Sequence, residues 1–271
     1  MPGERLQDAV GAAGRLAAAG LPTVLTYLGE HVSDAAEATR AAAEYETAIR
    51  VLGGAGLSPH VSVKLSQLGL GVDAGRAEAL TSDLARRAAA TGGVLWLDME
   101  DSTCTDATIE LYRRLRRDND AVGLCLQAYL RRTPRDLAGL LPLQPRIRLV
   151  KGAYREPAAL AYEDRRDVDA SFLELAVTLL RRRADPALGT HDLALLAQVE
   201  AAARTLGMER TAYEVQMLYG IRAAEQRRLA AGGRRVRVLV AYGSEWFAWY
   251  VRRLAERPAN LLFAVRAAAF R

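Results

Sequence analysis

Short apolar runs rich in β-branched and aromatic residues recur about every 30 residues along the 271-residue chain, and a segment with helical periodicity follows each of them. The runs are TVLTYL (23–28), HVSVKLS (60–66), GVLWLDM (93–99), VGLCLQAYL (122–130), IRLVKGAY (147–154), LGTHD (188–192), TAYEVQML (211–218) and VRVLVAYG (236–243). Strands separated by helices pair in parallel, because a parallel connection needs a crossover long enough to hold a helix. Eight such units predict an α/β fold closed as a (β/α)8 barrel of TIM type. An open doubly wound sheet is the alternative. It calls for a glycine-rich first turn, and the nearest candidate, GLGVDAG (69–75), has the wrong spacing and follows the second run.

Residues 1–271 read as a single domain with one N-terminal helix within residues 1–20. In RRTPRDL (131–137) Thr133 reads as an N-cap, with Pro134 at the first helical position and Asp136 as capping-box partner. Asp192 caps a helix whose Leu196, Val199, Ala203 and Leu206 form a core-facing stripe, and Ser244 caps the last helix, which Pro258 ends. The longest irregular stretch is 155–169, after the fifth strand, on the side of a barrel where sites form.

The formal charge of +5 is spread along the chain and mixed with 32 acids, with no basic tail and no zinc-ligand spacing, so nucleic acid is not an expected partner. Cys104 and Cys125, in apolar surroundings, suit reduced thiols of a cytoplasmic protein. The charged start MPGERLQDAV lacks the apolar run of a signal peptide, and no stretch approaches membrane-spanning length. Any contact with the inner face of a membrane is expected to be peripheral. Of 37 basic residues only Lys64 and Lys151 are lysine, and both lie in strand-like runs. A compact ammonium kept where arginine is otherwise the rule points to a site.

Barrel chemistry sits at the C-terminal ends of strands. Lys64, Ser66, Asp98, Glu100, Asp101, Gln127, Arg148, Lys151, Tyr154, Thr190, His191, Glu214 and Gln216 are placed there as one polar rosette. Asp98 and Glu100, two apart on a strand, face the same way. They suit an acid–base pair, or more simply ion-pair partners of Lys64. Strict alternation puts Arg148 and Lys151 on opposite faces, so both reach the site only if the strand ends or bulges between them, which Gly152 permits. His191 fits a general base, a metal ligand or a structural hydrogen-bonder, and without a second ligand at metal spacing no metal is expected. Near the C-terminus, YVRRLAERPAN (250–260) sets Arg252 beside Arg253, about 100° apart on a helix, so one of the two leaves the solvated stripe. Arg252 and Glu256 alone make an ordinary surface pair. The bulky EWFAWY (245–250) favours a helix leaning across the barrel mouth.

The ordered set KLS (64–66), LDMED (97–101), LQAY (126–129), RLVKGAY (148–154), GTHD (189–192), YEVQMLYG (213–220) and RRLAERPAN (252–260) resembles the proline dehydrogenase family over roughly residues 20–263. That resemblance implies a distorted barrel whose eighth helix sits above the mouth. It further implies FAD held without a Rossmann fingerprint, and oxidation of L-proline to Δ1-pyrroline-5-carboxylate by hydride transfer to flavin N5, with a quinone as electron acceptor. Carried over by position, Arg252 and Arg253 clamp the substrate carboxylate with Lys64, Glu30 closes onto Arg252 as a gate, Asp98 holds Lys64, and Leu218 packs on the substrate ring. Glu100, Gln127, Arg148, Lys151, Ala153, Tyr154, Thr190 and His191 match flavin-contacting positions, with Arg148 near N5. Leu239 and Trp249 fall where the family usually places tyrosines, unless the register slips and Tyr242 serves in place of Leu239. The loss of those hydroxyls widens the expected substrates to ring-substituted cyclic imino acids. A barrel aldolase with Lys64 or Lys151 as Schiff-base nucleophile is the second reading; it gives Arg252 and Arg253 no role. One helix stands before the first strand where the family has several, and the sequence leaves the oligomeric state open.

Overall fold

The structure, a computed structural model, describes residues 1–246. Helix α1 (Leu6–Ala18) precedes β1 (Thr23–Tyr27), and the chain then alternates through α2 (Ala35–Gly54), β2 (His60–Val63), α3 (Ala74–Ala90), β3 (Leu95–Leu97), α4 (Thr105–Asp118), β4 (Val122–Gln127), α5 (Thr133–Leu140), β5 (Ile147–Val150), α6 (Arg165–Arg181), β6 (Ala187–Gly189), α7 (Leu193–Thr205), β7 (Glu214–Leu218), α8 (Ala223–Ala231) and β8 (Arg235–Tyr242). Each strand is parallel to its neighbours, and β8 pairs with β1, so the sheet closes in chain order and has no edge. A strand lies within six of the eight predicted runs, and β6 and β8 each begin one residue ahead of theirs. The helix expected over the barrel mouth lies outside the described residues.

Alternation along the strands sorts side chains into two cores. Outward residues such as Val61, Val63, Leu95, Leu97, Leu124 and Leu126 join Tyr45, Ile49, Leu84, Tyr112 and Phe172 of the surrounding helices in one large buried cluster. The inner face carries a much smaller apolar cluster built on Val24, Trp96 and Ala187, with Leu239 packed against it. Polar groups fill the rest of the barrel. Trp96 fits there because Gly123, its register partner on β4, has no side chain; a Cβ at that position would stand 2.4 Å from the indole ring.

Aspartate side chains start four of the helices. Asp34, Asp73, Asp164 and Asp192 accept hydrogen bonds from the backbone N–H groups of Glu37, Arg76, Arg166 and Leu195. The predicted cap of α5 is corrected: Arg132 occupies the N-cap, Thr133 opens the helix and donates to Gln127 O at 2.6 Å, and Asp136 pairs with Arg132. Of the stripe on α7, Leu196, Val199 and Ala203 are buried, whereas Leu206 is exposed just past the helix end. The irregular stretch is shorter than expected, because Asp164 starts α6 at Arg165. Burial pushes the Cys125 thiol up to about 12, while Cys104 is only half-buried. Among the described residues no helix is long and apolar enough to cross a membrane.

Gly123→Ala is expected to cost about 1–3 kcal/mol by overpacking against Trp96. Urea unfolding checks this, and the cost is expected to fall sharply in a Trp96→Leu background. An equal cost in both backgrounds would contradict the contact.

Candidate active site

Arg148, on the inner face of β5, is buried inside the barrel. Its Nη1 lies 3.0 Å from Asp98 Oδ1, both terminal nitrogens reach Ser62 Oγ at 3.0–3.1 Å, and its guanidinium stacks over the Trp96 ring at 4.7 Å. Ser62 Oγ in turn donates to Asp98 at 2.8 Å. A buried cation costs several kcal/mol unless it is paired and hydrogen-bonded, and β2 together with β3 and its end supplies those partners here. The Arg148 Nε remains without a partner among the described residues. Asp98 therefore serves Arg148 and not Lys64 as expected. Ser62 and Trp96 were missed, although each lies two residues before a predicted site residue and so shares its face.

Lys64, just past β2, is buried and stands 4.0 Å from Glu30 Oε1, to which Tyr154 Oη donates at 3.3 Å. Glu100 is fully buried; the Ser66 backbone N–H and hydroxyl both donate to it. Burial raises the Glu100 carboxyl, against the Ser66 hydrogen bonds and the Lys64 charge, which favour ionisation. A cleft of about 690 Å³ opens here, bordered by Glu30, Lys64, Gln67 and Glu245.

β5 ends at Val150, between Arg148 and Lys151, as two cations on one site required. Gly152 follows with φ of 127°, and a Cβ there would collide with the Tyr129 ring at 2.2 Å. The turn sends Lys151 to Asp169 and, at 3.0 Å, to Asp192, which Arg165 also reaches at 2.9 Å. Asp192 is thus both helix cap and anchor of Lys151. The Leu218 N–H donates to His191 Nε2 at 2.9 Å, which leaves the proton of a neutral His191 on Nδ1. Thr190 is buried beside it and accepts from Asp192 N, and Ala153 is half-buried after Gly152. Gln127 donates to Met99 O at 3.1 Å, and its Oε1 is buried without a partner among the described residues.

Leu218 and Leu239 are register partners on β7 and β8, so both face inward. Tyr242 is three residues on, hence on the outer face. It is buried against Tyr27 with ring centroids 5.4 Å apart and cannot replace Leu239. Glu214 is not part of the rosette. It is the first residue of β7, at the opposite end of the barrel, where it pairs with Arg237 at 2.9 Å. The predicted run began three residues too early and hid that position. Trp249, Arg252 and Arg253, and with them the gate from Glu30 to Arg252, lie outside the described residues. The mouth thus presents two lysines and a buried arginine, each matched to carboxylates, with an orphaned donor and acceptor between them, a set suited to an anionic hydrogen-bonding ligand.

Burial works to raise the Asp192 carboxyl, but hydrogen bonds from Lys151 and Leu195 N, the Lys151 charge and Arg165 outweigh it and hold the group well below the usual carboxylate range. A depressed folded-state value stabilises fully above the unfolded value of about 3.9 and is lost as pH falls through it. Urea midpoints between pH 5 and 3 are expected to fall more steeply for the wild type than for Asp192→Asn, which keeps a capping oxygen. Parallel slopes would contradict this.

A family model described as "Proline dehydrogenase" matches residues 9–266. The proline dehydrogenase of Deinococcus radiodurans is 41% identical over 270 residues, covering 97% of this chain and 87% of the relative. Proline dehydrogenase 1 of Bacillus subtilis (strain 168) is 35% identical over 264 residues, with the same coverage. Among solved structures, proline utilization A from Bdellovibrio bacteriovorus, inactivated by N-propargylglycine, superposes with a TM-score of 0.87 at 23% identity, over 94% of this chain and 32% of that one. The Bradyrhizobium japonicum protein of the same name, as a D778Y mutant, gives 0.79 at 25% identity, over 95% of this chain and 30% of that one. This chain therefore spans about a third of those two proteins, and the first of these likenesses bears on the fold alone. With the family model matched over nearly its full length, the chain belongs to the proline dehydrogenase family.

Proposed function

We propose that the protein is a flavin-dependent dehydrogenase of proline-type cyclic imino acids, forming Δ1-pyrroline-5-carboxylate or its ring-substituted counterpart. What supports this best is the buried Arg148 cation, fixed at the mouth of a barrel that belongs to the proline dehydrogenase family. FAD, when bound, would supply N5 as a hydride acceptor for substrate C5, with a quinone as the expected electron acceptor. The residues present fit that group: Arg148 Nε and Gln127 Oε1 are buried and unpartnered among the described residues, and Arg148 and Lys151 suit a ring and a pyrophosphate that carry negative charge. Glu100, Ala153, Tyr154, Thr190 and His191 complete the set that would hold it.

The remaining chemistry falls to binding and orientation. Lys64, with Arg252 and Arg253 assigned by sequence resemblance, binds the substrate carboxylate. Glu30, already facing Lys64, is the counter-charge for that cluster. Asp98 and Ser62 keep Arg148 from turning away, so its charge meets developing negative charge without reorganising. The substrate nitrogen must lose its proton before its electrons can assist departure of the C5 hydride. No side chain need form a covalent bond. A Schiff-base aldolase fits less well, because Lys151 is held by Asp169 and Asp192 and Lys64 faces Glu30, rather than sitting in an apolar or cation-flanked pocket.

Leu218 and Leu239 form an apolar wall, and with Trp249 replacing the second family tyrosine the site accommodates substituents on the substrate ring. Steady-state turnover of proline, 4-hydroxyproline and 4-methylproline tests this. A substituted proline is expected to match or exceed proline in kcat/KM, and Leu239→Tyr to shift the preference back toward proline by about tenfold. Strict preference for unsubstituted proline would reject the widened wall, and no turnover of any of the three by FAD-loaded protein would reject the dehydrogenase itself.

A further inference from the structure

The end of the barrel opposite the candidate active site holds a cavity of about 210 Å³, formed where several strands begin. His60 opens β2, Glu214 opens β7, Arg235 opens β8, and Arg146 stands one residue before β5. Most of their charge is matched in place: Arg237 pairs with Glu214 at 2.9 Å and Arg235 with Asp185 at 2.6 Å. Arg146 is the exception. Its guanidinium makes no hydrogen bond or ion pair among the described residues, which leaves the cavity with one uncompensated positive charge.

Trp96 and His60 also line the cavity, and each carries a donor with no acceptor among the described residues. Trp96 is 3% exposed, and its indole N–H, a group that can only donate, has no partner among the described residues. Arg237 donates to Ser58 Oγ at 2.9 Å, so the Ser58 hydroxyl proton is left for His60 Nδ1, also at 2.9 Å. That arrangement places the proton of a neutral His60 on Nε2, for which no partner stands among the described residues. Burial first, then the charges of Arg237, Arg146 and Arg148, push the imidazole down to about 3, so it remains a neutral donor near pH 7. A buried donor left unmade costs about 1–3 kcal/mol, and such groups are rare in folded proteins unless a ligand or water completes them.

We propose that this cavity is a second ligand site, which binds a small carboxylate monoanion between the Arg146 guanidinium, the Trp96 indole N–H and His60 Nε2–H. One uncompensated charge selects a monoanion, and a planar carboxylate suits the guanidinium fork. The volume admits such an ion together with water. An open groove of about 780 Å³, lined by Arg116, Arg146 and Arg182, adjoins it and provides a positively charged approach. Trp96 belongs to both ends of the barrel: its N–H meets the bound anion and its face carries Arg148.

Acetate is the probe. The chain has three tryptophans, so the indole N–H signal of Trp96 in ¹⁵N-labelled protein can be assigned by elimination with Trp246→Phe and Trp249→Phe. At constant ionic strength, acetate is expected to move that signal saturably in the millimolar range. The response should vanish in Arg146→Gln, return in part in Arg146→Lys, and persist in Lys64→Met, which removes a cation from the other end. A Trp96 signal that does not move, that drifts without saturating, or that responds equally in Arg146→Gln would overturn the proposal and leave the cavity to water.

Discussion

A guanidinium enclosed by a β-barrel sets the terms for the rest of this structure. Closure of the sheet removes every edge and shuts bulk water out of the interior, so the charge on Arg148 must be met by the strands themselves. β2 gives Ser62, the end of β3 gives Asp98, and the middle of β3 gives the Trp96 ring. This is why inner positions of these strands are not aliphatic, and why β4 must offer Gly123 opposite the indole. Removing one partner would leave a charge stranded, whereas the outer core of aliphatic side chains tolerates exchange of like for like.

The same economy of partners organises the mouth. Lys151 is reached by a carboxylate that also starts α7, and Lys64 faces Glu30 while its charge supports ionisation of the buried Glu100. Cations at this end are therefore held in place by groups with structural duties of their own. At the opposite end Arg235 and Arg237 are neutralised and Arg146 is not. Trp96 lies between the two ends, lining the cavity at one and carrying Arg148 on its face toward the other.

The eight strands were legible because short runs rich in apolar and β-branched residues recur at a regular spacing, each followed by a segment with helical periodicity. The scarcity of lysine drew attention to Lys64 and Lys151, which lie just past β2 and β5, and the parity conflict between Arg148 and Lys151 anticipated the end of β5 before Gly152. Pairing across the barrel was not legible. Asp98 was given to Lys64 because both were seen as site residues, but only the stagger of a closed sheet brings Arg148, two strands away, onto it. Glu214 was placed at the wrong end for a related reason: apolar residues ahead of the true strand start blur the point at which hydrogen bonding begins. Thr133 looks like a cap in sequence, yet its hydroxyl is taken by the Gln127 carbonyl.

That the barrel mouth is built for a flavin is tested most directly by the absorption spectrum of the purified protein, recorded before and after anaerobic addition of proline or a 4-substituted proline. A yellow protein, bleached by substrate in the absence of oxygen, is the predicted result. A colourless preparation that takes up no added FAD would contradict it.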